Sequence, residues 1–196
     1  MHHGKFQLFC YLSTCFMFNH QTDIKMKFLF TICVMLFAAN SLSAQVATAK
    51  EVANWERAKI YTKEYLDAMP EDGYSFKPTP EIRTFAQQMG HLADANFAFV
   101  AGASGKAKPM AESVEKMADQ SKAAITKAVM ESYDFAIASL KGMTDADLGK
   151  DIKMFGMDMK SGVAFEKAFE HQTHHRGQTT VYIRLKGATP PKEKLF

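Results

Sequence analysis

Apolar residues recur at three- and four-residue intervals in four long stretches of this chain, and almost nowhere do they alternate with polar ones. That period belongs to helices with one buried face, and it predicts an all-α protein before any motif is read. The first stretch runs from Ala49 to Met69 with Val52, Trp55, Tyr61, Tyr65, Leu66 and Met69, and Pro70-Glu-Asp-Gly73 ends it. Tyr74 to Pro80 holds two prolines and reads as an extended connection. A second helix begins near Thr84, where Thr84-x-x-Gln87 forms a capping box, and carries Phe85, Met89, Leu92 and Phe99 towards Gly102.

Gly102 to Lys108 is expected to be loop, with Pro109 opening a short helical turn. The third helix spans about Ser121 to Leu140, with Ile125, Val129, Tyr133, Ile137 and Leu140 on one face. Gly142 to Gly162 is punctuated by glycine, and Ile152 to Met159 within it reads as a ribbon or irregular segment. The fourth helix runs about Val163 to Lys186, capped by Ser161 or a neighbour and stopped by Gly187 and Pro190-Pro191. The architecture expected is a four-helix bundle, and the scattered methionines, such as Met117 and Met130, are core or loop filler.

The N-terminal part does not share this pattern. Phe28 to Ala39, interrupted only by Thr31, follows Met26-Lys27 and leads into Asn40-Ser-Leu-Ser-Ala44. An apolar run this short falls below the roughly 20 residues of a membrane-spanning helix and has the form of a secretory signal peptide. The expected organisation is an upstream extension over residues 1–25, a signal peptide over 26–44, and a single domain over 45–196, exported to the periplasm or beyond. Cleavage after Ala49 is the alternative, since Ala47-Thr48-Ala49 is the cleaner small-residue pattern. Without the leader, the net charge drops from +3 to +1, so nothing points to nucleic acid. Cys10, Cys15 and Cys33 also go with it, and with them any disulfide, thiolate metal site or catalytic thiol.

The domain keeps four histidines: His91, His171, His174 and His175. His171 and His175 are one turn apart, so their imidazoles share a helix face and can share a cation. His91 lies in the middle of helix two. If helices two and four are neighbours at matching heights, His91, His171 and His175 make a three-nitrogen site with a position left open, as in catalytic metal centres. Spacing alone leaves His174 open as a ligand in place of one of the pair; otherwise it is an i,i+4 partner of Glu170. Asp94 and Gln178, three residues after His91 and His175, are candidates to orient a ligand's N–H. Arg176 suits a substrate anion or a carboxylate on another helix, and Gly177 suits close helix packing. Glu166 and Glu170 are further carboxylates near this turn.

His171-Gln-Thr-His-His-Arg-Gly-Gln178, together with Gly90-His-Leu-Ala-Asp-Ala-Asn96, the Tyr74 to Pro78 segment and the Gly187 to Pro191 tail, resembles the DinB/YfiT-like metalloenzyme family over essentially the whole domain. The resemblance implies a bundle that is commonly dimeric, with a divalent metal held by His91 from helix two and His171 and His175 from helix four. His174 is then unbound or supports a ligand. Members include thiol-dependent transferases and isomerases that use cytosolic thiols, and an export signal weighs against that chemistry here.

The expectation is therefore an exported metal-dependent hydrolase or transferase acting on a small molecule, with zinc, nickel or iron as the ion, and copper also compatible with imidazoles. The competing readings are a non-catalytic metal-binding or structural dimer, and a haem electron-transfer bundle with a methionine such as Met89 as axial ligand.

Overall fold

A computed structural model of the chain describes residues 27–32 and 48–195. Residues 27–32 are helical, with Phe28, Leu29 and Phe30 exposed. The upstream extension, the three cysteines, the Ala44 cleavage point and the remainder of the expected signal peptide lie outside the described residues. Among the described residues, no helix is long and apolar enough to cross a membrane.

In the remainder of the chain, each long amphipathic stretch is a helix: α1 over 48–68, α2 over Phe85–Ser104, α3 over Lys122–Lys141. A four-residue helix, α4 (Asp145–Leu148), and a hairpin of β1 (Asp151–Met154) with β2 (Met157–Lys160) precede α5 (Ser161–Leu185). The hairpin is antiparallel, pairing Asp151 with Lys160 and Met154 with Met157, which resolves the expected ribbon. Phe155 and Gly156 form its two-residue tip, both at positive φ (52° and 79°).

The core explains the order of packing. α2 lies against both α3 and α5. α1 also touches α3 and α5: Trp55 meets Tyr133 and Phe169 edge-on, at 5.7 and 5.5 Å between ring centroids. Trp55, Leu66, Met89, Leu92, Ile125, Leu140 and Ile183 have no exposed surface. Polar groups link the helices inside this core. Thr62 of α1 and Tyr133 of α3 share a hydrogen bond of 2.7 Å, Tyr133 donates to Gln172 of α5 at 2.7 Å, and Asn96 of α2 donates to Ser132 of α3 at 3.1 Å. These bonds offset much of the desolvation cost of burying the side chains, with Asn96 Oδ1 left without a partner among the described residues.

Several boundaries differ from expectation for local reasons. The Thr84–Gln87 capping box is present, but α2 continues two residues beyond Gly102 and stops at Gly105, so the loop starts later. Pro109 sits at a bend rather than opening a helical turn; the turn comes at Val114–Lys116, as a 3-10 helix. Ser161 does not cap α5 but begins it, its hydroxyl donating to the Ala103 carbonyl at 2.8 Å. Thr48 bonds Asp145 at 2.6 Å, and cleavage after Ala49 would remove that contact.

Candidate metal centre

α2 and α5 bring His91, His171 and His175 together at one level of the bundle. Each offers a ring nitrogen, and these three nitrogens lie within 4.8 Å of one another. Ring centroids are 4.2 Å apart for His171 and His175, 4.6 Å for His91 and His175, and 5.2 Å for His91 and His171. One helical turn on α5 sets the first separation, and the contact of α2 with α5 sets the other two.

Electrostatics keep His171 and His175 neutral. Burial first, and then the neighbouring imidazoles and the Arg83 cation, push His171 down to about 4 and His175 down to about 3. At neutral pH both rings therefore carry a free lone pair, the form that binds metals. His171 Nδ1 is buried with no hydrogen-bond partner among the described residues. A buried imidazole nitrogen left bare is costly unless something else ligates it, and three imidazoles together suit a borderline divalent ion. The donor set thus fits a metal.

The groups behind the three histidines are only partly those expected from spacing. His91 Nδ1 faces the Glu115 carboxylate at 3.0 Å, and Arg83 Nε donates to the other Glu115 oxygen at 2.7 Å. Partial burial would raise the Glu115 carboxyl, but the Arg83 and His91 contacts outweigh it and hold it below the ordinary carboxylate value. The Gln88 side-chain amide lies 2.8 Å from His175 Nδ1 and also contacts Gln178. Gln178 in turn donates to His174 Nε2 at 2.8 Å. Gln178 is therefore one residue removed from the cluster, and His174, exposed and 5.0 Å from His175 between centroids, stands beside it.

The other candidates have different tasks. Asp94 does not touch a histidine; it accepts from Ser113, Val114 and Glu115. Glu170 pairs with Lys167 at 2.7 Å rather than with His174. Glu166 lines a separate cavity of about 460 Å³ with Lys50, Glu51 and Asp145, where burial first and Glu166 second raise the Glu51 carboxyl. Among the described residues Arg176 meets no carboxylate on a neighbouring helix: it is buried and bonds Gln172 and Thr62. A Cβ on Gly177 would meet nothing within 4 Å, so close helix packing does not explain that glycine. Met89 is fully buried and two residues from His91, which puts it roughly 200° round α2, so no haem axial pair forms from them.

Beside the cluster, a groove of about 730 Å³ is lined by Arg83, Gln88, Glu115, Gln178 and Tyr182, with Ile82 and Val181 as apolar wall. Phe99 lies tilted against His171 at 6.2 Å between centroids and meets Phe155 of the hairpin tip edge-on at 5.1 Å.

The profile of the DinB family matches residues 43–195, which include all of these groups. The chain belongs to the DinB family. An uncharacterised protein of Bacillus subtilis (strain 168), YjoA, is 25% identical over 132 residues, 65% of this chain and 83% of YjoA. Two solved DinB-like structures share the fold. One from Bacillus cereus ATCC 10987 has a TM-score of 0.66 and 24% identity over 74% of this chain and 95% of its own. B. subtilis YjoA has 0.61 and 21%, over 74% and 96%. A conserved protein from Enterococcus faecalis superposes at 0.59 with 16% identity, over 70% of this chain and 95% of its own. At these identities the structures speak for the DinB bundle itself.

Proposed function

We propose that this DinB protein is an exported metal-dependent enzyme, a hydrolase or transferase acting on a small molecule, with His91, His171 and His175 holding one divalent ion. The observation that carries this reading is the convergence of three ring nitrogens from two helices within 4.8 Å, one ring having a buried nitrogen without a partner. A divalent ion held there supplies a Lewis acid able to activate water or polarise a substrate oxygen. The chain's own groups prepare the site. Burial keeps His171 and His175 unprotonated, Glu115 engages Nδ1 of His91 and leaves its opposite nitrogen for the ion, and the adjoining groove gives a small molecule a place to lie. Zinc, nickel or iron each suit the donors. Export is supported by the Phe28 to Ala39 run and by the absence of cysteine after Cys33.

The test is metal content after purification without chelator. About one divalent ion per chain is expected, lost in His175→Ala with the helical circular dichroism retained. Full metal content in both His171→Ala and His175→Ala would remove the assignment. Metal-dependent turnover in a screen of esters, amides, lactones and electrophiles then separates an enzyme from a non-catalytic metal-binding bundle.

A further inference from the structure

Glu115 reaches His91 from outside the four long helices. It sits on the 3-10 turn Val114–Lys116, in the connection between α2 and α3, and two residues of α2 hold that turn in place. Asp94, three residues after His91, accepts the Ser113 hydroxyl at 2.6 Å, the Val114 N–H at 2.8 Å and the Glu115 N–H at 3.1 Å. Gly90 lets the turn come close: a Cβ there would lie 2.8 Å from both Cα and N of Glu115. So placed, the carboxylate splits its oxygens, one taken by Arg83 Nε at 2.7 Å and the other 3.0 Å from His91 Nδ1.

We propose that Glu115 is a positioning residue for the three-histidine centre, accepting the proton on His91 Nδ1 so that Nε2 is the bare nitrogen, with Gly90 and Asp94 setting its place. The inference rests on the reading of the cluster as a metal site. A neutral imidazole carries its proton on one nitrogen, and the partner of the other nitrogen decides which. Glu115 is that partner. Arg83 cannot take its place: Nη2 lies 3.4 Å from His91 Nδ1, and both then carry hydrogen. Glu115 has a second effect, since its charge offsets a guanidinium that would otherwise face a site built for a cation.

The test joins two measurements on the full chain at pH 8: the ring 15N shifts of His91 in metal-free protein, and zinc affinity against a chromophoric chelator. In the wild type the His91 proton is expected on Nδ1. Glu115→Leu should move it to Nε2 and weaken zinc binding roughly ten- to hundredfold. Glu115→Gln, which keeps an acceptor oxygen, should recover part of both. Asp94→Asn, which leaves Glu115 and the histidines chemically intact, should weaken zinc binding in the same direction and keeps the idea testable if Glu115→Leu does not fold. An unchanged tautomer and wild-type zinc affinity in folded Glu115→Leu overturn the proposal. A wild-type protein that takes up no zinc overturns the metal reading instead, and the tautomer still judges Glu115.

Discussion

The guanidinium of Arg176 lies 4.5 Å over the ring of Tyr61 and donates to Gln172 Oε1 at 3.0 Å and Thr62 Oγ1 at 3.4 Å. Its hydrogen-bonding partners are neutral, and it is 6% exposed. Arg176→Ala leaves a void and strands the acceptors, and should cost about 2–4 kcal/mol in urea unfolding. Arg176→Met keeps the stem's packing and removes the buried charge, so it should lie well above the alanine variant in stability. Equal losses in the two would show that the guanidinium's bonds, rather than its bulk, carry the contribution.

The metal-free protein should be acid-sensitive well above the range in which carboxylates titrate. His171 and His175 fall to about 4 and about 3 in the fold, against an ordinary 6.5 when unfolded. Between these values the unfolded chain binds more protons than the folded one, so stability falls as pH falls from 7 and the loss levels off below about 3. Unfolding free energies from urea titrations of chelator-treated protein at pH 7 and pH 5 should differ by roughly 1–2 kcal/mol, allowing for solvent at the site. Replacing both histidines by asparagine should flatten that slope.

On the proposed reading, His174 should differ from its sequence neighbour His175. His174→Ala should leave metal stoichiometry at the wild-type value, whereas His91→Ala should lower it as His175→Ala does. Elemental analysis of the purified variants decides this.

Two substitutions should stabilise the fold. Gly177 is exposed on α5 with open space around it, and Gly177→Ala should add about 1 kcal/mol through helix propensity. Phe155 holds φ 52° at a hairpin tip where asparagine before glycine is favoured. Phe155→Asn relieves strain of about 1 kcal/mol or more, against a partly offsetting loss of the ring contact to Phe99. Its thermal midpoint should rise.

The bundle was legible because its signal is periodic: Trp55 and Tyr65, or Ile125 and Tyr133, declare a buried face in the sequence itself. The histidine trio was legible in part: the turn of α5 carries three rings, spacing left His174 open beside His171 and His175, and the resemblance to the DinB/YfiT-like family singled out the pair that meets His91. What lies behind the histidines was not. Glu115 is 24 residues from His91, and Gln88 is 87 residues from His175; no spacing rule joins them, because tertiary packing creates the contacts. Asp94 drew notice as a direct partner of the histidine, yet it acts through the turn it holds. The one local sign of that turn was Gly90, whose need is visible only once Glu115 lies against it.

Thr62, Tyr133, Gln172 and Arg176 join α1, α3 and α5 at a single height, and Asn96 ties α2 to α3. Sliding any one helix by a turn would leave a buried guanidinium, phenol or amide facing hydrocarbon, so the polar centre keys the axial alignment of the bundle as an asparagine keys a coiled coil. Arg176 is next to His175 in the chain. The same key that forbids slippage therefore holds the α5 histidines level with His91, and a histidine cluster assembled from two helices takes its precision from a network that does not touch it.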